Sequence, residues 1–428
     1  MIFKINLEDG ILLVYPFRYN YVKKSCMIKQ QFLVGLLLLS FISLTAQQRK
    51  YVNEFLQIGV GGRGLGMAGA QVASVNDVTS PFWNPAGLSY IRNDLQIGLM
   101  HSEYFNGIAK YDYIGVSTPT RKKKGVLGLS LIRFGIDNIP YTLNLIEPDG
   151  SVNYARVKAI SAADYAGLVT YAQQLKIKKY ANRPDVDFRV GGNFKIIHRS
   201  IGTMGSAWGA GIDAGIQGRF KRWCVGATIK DITTTYTIWS FSYTEAEKQK
   251  LLQSGNEIVS RSTEVNTPRA ILGMGRYLPI RFKDTTKSAY LLVEANTDVT
   301  TDGSRYGNLI NLNPVSIDPR LGLEFGYNKL FYVRAGVGNF QRVLNDDDTT
   351  NTSFRTMFQP SFGLGLKIKS LHIDYAFSSL NVQNNPLYSH FISLKLGINK
   401  KTSYYDETNL DIDDSKKNKN KGPRRKNY

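Results

Sequence analysis

No apolar run in these 428 residues approaches twenty, so the chain offers no segment able to cross a bilayer as a helix. A mean hydropathy of -0.23 likewise excludes a bundle of membrane helices. Cysteine is nearly absent: only Cys26 and Cys224 occur, which excludes a disulfide framework and any cysteine-based metal site. Histidine is as scarce, with four at positions 101, 198, 372 and 390 that share no spacing and read as wall residues rather than ligands. There is no HExxH, no GxSxG and no carboxylate pair set apart by its surroundings. The chain is therefore expected to be no enzyme and to carry no cofactor. Acidic residues are the minority, 34 against 54 basic, giving a net charge of +20.

What is plentiful is glycine, 39 residues, much of it in Gly59–Leu88, GVGGRGLGMAGAQVASVNDVTSPFWNPAGL. This stretch has neither a helical nor an alternating apolar period, so it has no face of its own to bury. It contains GxGxxG at Gly59/Gly61/Gly64 and again at Gly64/Gly66/Gly69. A dinucleotide site would need a strand before the motif, a helix opening on it and a βαβ unit around it, and none of these is indicated. Glycines here would instead let a tightly folded insert pass close to surrounding walls. The stretch reads as a plug, and Gly66→Leu should disturb it.

From Asp94 one theme repeats: about ten residues of alternating apolar character, then a turn. Fourteen strands are predicted, at 94–104, 109–119, 125–136, 158–174, 187–200, 207–219, 222–232, 266–279, 288–299, 319–328, 330–340, 355–369, 371–381 and 388–398. The period of two puts Leu321, Leu323, Phe325 and Tyr327 on one face and Gly322, Glu324 and Gly326 on the other. Phe331, Val333, Ala335 and Val337 oppose Tyr332, Arg334, Gly336 and Gly338 in the same way. Connectors alternate, with short turns at Phe220–Lys221, Lys329 and Ser370. The long ones are Asn138–Val157, Thr233–Val265, Thr300–Asp318 and Gln341–Phe354. An even strand number with short and long connectors at opposite ends indicates an all-β, fourteen-stranded antiparallel outer-membrane barrel with both termini in the periplasm. Within Thr233–Val265, TEAEKQKLLQ sets Thr244 and Glu247 as a capping box and predicts a short helix on the rim.

The run Arg63–Ser89, with Gly64, Gly66, Gly69 and then Trp83, Asn84, Pro85 and Gly87, resembles the N-terminal signature of the PorV/PorQ family of outer-membrane proteins. That family is similar in turn to FadL-type barrels, whose N-terminal hatch ends in Asn-Pro-Ala-Gly. The resemblance implies a non-enzymatic component of type IX protein secretion in a Gram-negative bacterium of the Bacteroidetes. It implies, as partners, type IX secretion components and secreted proteins carrying a C-terminal signal domain, beside outer-membrane lipid and lipopolysaccharide. The alternative is a FadL-like transporter of a hydrophobic small molecule. An enzyme acting on lipopolysaccharide has no support in the residues, and no nucleic-acid partner is expected.

The chain divides accordingly. Residues 1–26 read as an extension ahead of the true start at Met27. Residues 27–46 form a signal peptide around Phe32–Leu44, with Gln47 the first mature residue. Residues 47–93 form the hatch, 94–398 the barrel, and 399–428 a disordered tail, basic at its end. Inward polar positions are expected at Asp164, Arg189, Lys195, Glu294, Asp298, Glu324, Arg334, Lys367, His372, Asp374 and Lys395, pairing to fill the lumen. On this reading an arginine at lipid-facing Leu364 should cost more than one at lumen-facing Gly365. Basic turns at 121–124, 176–179, 221–222 and 281–283 read as interfacial lysines and arginines, or as a surface for acidic periplasmic partners.

Overall fold

The structure is a computed structural model. It describes residues 52–399 apart from 121–123, 148, 176–185, 285, 301–309, 313–314, 345–353 and 383–384. The leader, the start at Gln47 and the basic tail lie outside these residues.

Its strands are β1 (Leu95–Tyr104), β2 (Ala109–Pro119), β3 (Gly125–Tyr141), β4 (Lys158–Leu175), β5 (Val186–Ile201), β6 (Gly205–Phe220), β7 (Trp223–Lys230), β8 (Thr235–Phe241) and β9 (Arg261–Asn266). The second half adds β10 (Arg269–Ile280), β11 (Ala289–Thr300), β12 (Ile310–Leu312), β13 (Val315–Tyr327), β14 (Phe331–Leu344), β15 (Phe354–Ile368), β16 (Leu371–Val382) and β17 (Asn385–Ile398). Fourteen of them close into one antiparallel ring. β7 pairs with β10, β11 with β13, and β17 returns to β1. Closure leaves the ring without an edge, which is what a sheet needs where no water can satisfy unpaired backbone groups.

The wall is inside-out. Glu324 is 2% exposed and Arg334 4%, while Leu364 beside them is 58% exposed and Val333 52%. Apolar side chains such as Leu323, Leu364 and Ile392 thus point outward, and the charged ones are shut inside. A water-soluble sandwich would invert this, so the outward apolar face is that of an outer-membrane barrel. Leu364→Arg is accordingly expected to cost ~2–4 kcal/mol, as for a cation near the midplane of a lipid face. The check is the loss of the heat-resistant band in unboiled gels, with Leu364→Met as the unaffected control.

The connector Thr233–Val265 departs from the plain loop expected of it. β7 breaks at Asp231–Thr234, where Asp231 and Thr234 take positive φ, and the chain continues as β8 on the outer half of β6. β9 returns beside β8 and leads into β10, so the wall stands taller on this side. Alternation survives the break (Tyr236 and Ile238 outward, Thr237 and Trp239 inward), and that is why the pattern alone did not locate it.

Candidate functional site

Inside the ring lies the segment Val52–Ile91, and its attachment to the wall defines what the interior can do. Arg63 donates through Nε to Glu324 Oε2 at 2.8 Å, and Arg334 Nε donates to the same oxygen at 2.7 Å. Arg334 Nη1 reaches Asp374 Oδ1 at 2.8 Å, Lys395 Nζ lies 3.5 Å from Asp374, and Lys395 donates to Asp77 Oδ2 at 2.6 Å. The result is an alternating chain, Arg63–Glu324–Arg334–Asp374–Lys395–Asp77, that begins and ends on the hatch. Its positive and negative groups are equal in number, which is the condition for keeping buried charges at tolerable cost. The sequence offered Glu324, Arg334, Asp374 and Lys395 as lumenal residues and Arg63 as signature. It did not single out Asp77, which closes the chain.

Further hydrogen bonds hold the rest of the hatch. Gly62 N–H donates to Ser393 Oγ at 2.8 Å and Ala73 N–H to Glu294 Oε1 at 2.8 Å. Gln217 Nε2 donates to the carbonyls of Val72 and Val75, and Asn193 Nδ2 to that of Pro81. Such pairing is required, because an insert with only short helical turns (Glu54–Gln57, Gly62–Gly66, Ser80–Trp83 and Pro85–Tyr90) leaves backbone groups that water cannot reach.

The signature residues now have physical reasons. The Trp83 indole lies against Gly59, Gly64 and Gly69: a Cβ at Gly59 or Gly64 would come within 2.9 Å or 2.8 Å of its ring. Trp83 Nε1 donates to the Val60 carbonyl at 2.8 Å. Asn84 Nδ2 bonds the carbonyls of Val72 and of Ile216 in β6, each at 3.0 Å, while its Oδ1 accepts from Ala86 N–H. Trp83 thus accounts for Gly59, Gly64 and Gly69, while Gly61 lies against Thr79 and Gly66 against Gly363 of the wall. Sequence reasoning missed the other half of the contact, a belt of glycines on the wall. A Cβ at Gly191 would stand 2.5 Å from the Pro85 carbonyl carbon, and one at Gly322 2.9 Å from Met67. Gly226, Gly336 and Gly363 meet Val72, Met67 and Gly66 in the same way. Each of these glycines falls on the inward face of its strand, the one signal from which the belt was readable.

The remaining predicted residues fall into separate groups. Lys195 bridges Asp213, at 2.8 Å, and Asp231, fastening the point where β7 gives way to β8. Asp298 pairs with Arg320 at 3.1 Å and Arg269 at 3.6 Å. Asp164 pairs with Arg199 at 2.9 Å, which also reaches Glu264 of β9. Arg189 donates to the Ser89 carbonyl, pairs with Asp187, and lies 4.0 Å over the Tyr90 ring. Lys367 and His372 stand opposite each other in register near the short-turn end. Gly365 faces inward as expected, yet a Cβ there would meet Asp374 Oδ1 at 2.6 Å and Arg334 Nη1 at 2.8 Å. An arginine there would have to displace these two side-chain ends.

Both chain termini lie outside the described residues. Val52–Ile58 occupies the long-loop half of the lumen. Phe55 packs there in a cluster that includes Tyr111, Ile132, Ile197 and Phe391, with Leu56 and Ile58 against it. Asn53 Nδ2 donates to Thr237 Oγ1 of β8 at 3.2 Å, and Arg269 Nη1 to Gln57 Oε1 at 2.8 Å. The segment descends from there through the ring to Ile91, so it fills the interior from the outer half to the base.

On the rim, the helix Glu245–Gln253 forms with the expected capping box, Glu247 N–H donating to Thr244 Oγ1 and Thr244 N–H to Glu247 Oε2. The Thr244 backbone N–H holds the Glu247 carboxyl below the usual carboxylate range. Tyr141 Oη donates to Glu247 Oε1 at 2.8 Å and Lys250 Nζ to Asn144 Oδ1 at 2.8 Å, tying the helix to the end of β3 and its loop. Around it Tyr154, Ile146 and Leu252 are exposed. Among the described residues, no group of three or more His, Cys, Asp or Glu is placed to hold a metal ion. Cys224 is buried and free.

No family model and no curated protein matches this chain. Among solved structures it is similar to a FadL homologue of Pseudomonas aeruginosa, at 12% identity and a TM-score of 0.45, over 79% of this chain and 98% of that one. It is similar to the toluene transporter TodX of Pseudomonas putida, at 12% identity and a TM-score of 0.44, over 79% of this chain and 98% of that one. The toluene transporter TbuX of Ralstonia pickettii gives 12% and 0.45 over the same shares. Likeness this distant bears on no residue's role and on no ligand.

Proposed function

We propose that this non-enzymatic outer-membrane barrel works as a binding platform at its outer rim, in the manner the PorV/PorQ resemblance implies. It would receive secreted proteins that carry a C-terminal signal domain. The observation that carries this reading is the filled interior: the hatch is clamped at both ends of a charge-balanced chain, and its backbone is bonded to the wall around the ring. With the lumen occupied, the surface left for work is the rim, where the β8–β9 extension and the helix Glu245–Gln253 stand above the wall. Loops on a rigid scaffold are where binding residues ordinarily sit. Deleting Tyr243–Gly255 is expected to impair surface display or release of signal-bearing cargo while the barrel keeps its heat-resistant form. Unchanged secretion at matched protein level would refute the platform.

One observation favours the second reading, transport of a hydrophobic small molecule. The cluster that receives Phe55, Leu56 and Ile58 is apolar and lies in the outer half of the lumen, so a greasy solute would find an apolar site there if the segment moved aside. Uptake of a hydrophobic solute by the same deletion strain separates the two. Intact cargo handling with altered uptake supports the transporter.

A further inference from the structure

Charge is divided unevenly between the two ends of the ring. At the long-loop end four cations stand beside acids: Lys110 lies 3.4 Å from Asp137, Arg156 2.6 Å from Glu147, Lys248 2.6 Å from Glu245 and Arg199 3.2 Å from Glu264. The short-turn end differs. Lys221 and Arg222 join β6 to β7, and Arg281, Lys283 and Lys287 lie between β10 and β11. Lys329 lies between β13 and β14, and Lys369 between β15 and β16. Asp284 is the one acid in these four connectors, and it lies 3.7 Å from Lys287. Among the described residues the other six cations have no ion-pair partner, and all but Arg222 are exposed.

The backbone sets these lysines apart from an ordinary solvated face. Lys221, Lys329 and Lys369 take φ of 53°, 54° and 53°, in the left-handed region. Tight hairpin turns call for positive φ, but glycine or asparagine supplies it with little strain. The turn Tyr327–Leu330 is closed by the Leu330 N–H donating to the Tyr327 carbonyl at 2.9 Å, with positive φ at both Asn328 and Lys329. Lysine thus stands where the turn favours glycine, and the charge at the apex is kept against local preference. Trp223, Phe331 and Ile368 are exposed at the ends of their strands and mark the apolar margin of the wall. The three lysines lie past that margin. β6, β7, β10, β11, β13, β14, β15 and β16 are neighbours in the ring, so the four connectors form one arc. Strand spacing makes the arc about 34 Å across, the width of a small domain.

We propose that this arc is a docking surface for the acidic face of a folded periplasmic protein. Short turns of outer-membrane barrels face the periplasm, which places the arc there. Its single sign selects a partner of the opposite sign and speeds the encounter. A fixed partner also gives the strained apices a purpose. Lipid headgroups rearrange around any cation and gain nothing from one held at a set point, whereas a rigid acidic face needs charges at set spacing. The arc lies at the opposite end from the rim and goes beyond the function proposed above without depending on it.

The test is site-specific crosslinking of the full chain in intact cells. Ser370→Cys, at the β15–β16 turn, puts a benzophenone maleimide on the arc, while the native Cys224 is buried. Illumination should give one discrete protein adduct, whose partner, identified by mass spectrometry, carries an excess of acidic residues. Combining Lys221→Gly, Lys329→Gly and Lys369→Gly should lower the adduct about tenfold at matched protein level. The heat-resistant band should persist in that variant, because glycine suits all three turns. Arginine at the same three positions keeps the charge and should keep the adduct. Equal yield from the glycine variant, a partner without excess acid, or adducts to lipid or peptidoglycan alone would overturn the proposal. None of these outcomes touches cargo handling at the rim, so the two readings fail separately.

Discussion

Glu324→Ala should cost the barrel ~3–5 kcal/mol, the usual penalty for removing one partner of a buried ion pair. Glu324 accepts from Arg63 and Arg334 at 2.8 Å and 2.7 Å and from Tyr290 Oη at 2.9 Å. Its removal leaves two guanidinium groups shut in the lumen with no carboxylate between them, and Asp374 alone cannot answer both. Because one of the two belongs to the hatch, the seat of the hatch and the stability of the wall should fall together. The temperature at which the compact band disappears in unboiled gels should drop, and Arg63 to Asp77 should become cleavable by added protease. Glu324→Gln, which keeps the shape and one acceptor oxygen but turns the other into an amide donor and removes the charge, should fall between wild type and alanine. A double change, Glu324→Leu with Arg334→Met, should cost less than the single losses added, since it removes the charge with its partner. Wild-type behaviour of Glu324→Ala would show that the charge chain does not hold the hatch.

Gly336→Val is expected to open the barrel rather than unfold it. Valine suits a strand, so the wall itself should tolerate the change. The added carbon, however, would run into the backbone of Met67 and Ala68, and backbone atoms cannot turn aside as a flexible side chain can. Overpacking of this kind costs ~1–3 kcal/mol or more, and the hatch, which has no sheet of its own, is the part that yields. Stepwise ion conductance in a planar bilayer should appear in the variant and be absent from the parent. Gly167→Val is the control, as that glycine points outward into open space. Equal conductance in the two variants, or none in Gly336→Val with the hatch still protected from protease, would rule out the wall glycines as its seat.

The two predictions show where sequence reading stopped. Alternation placed Glu324, Arg334, Asp374 and Lys395 on one face of their strands, and their common side follows from a period of two. Which of them meet could not be read, because β13, β14, β16 and β17 come together only through the register of a closed ring. Asp77 was invisible for the same reason. It sits in a loop without periodicity, and its partner is 318 residues away. The neighbours of Gly365 were invisible for this reason too: which side chains fill the space before it follows only from the closed ring.

Sequence by itself determined the fourteen strands, their facing, the existence of an insert too rich in glycine to stand alone, and the capped rim helix. Each of these depends on neighbours in the chain, on backbone sterics or on a short repeat. Tertiary structure alone decided that Val52–Ile58 fills the outer half of the lumen and that β8 and β9 heighten one side. It also decided that glycines of the wall and of the hatch are one contact. Those features depend on which distant segments closure brings to the same height. In a barrel, height follows from stagger summed around the whole ring, and no local pattern carries that sum.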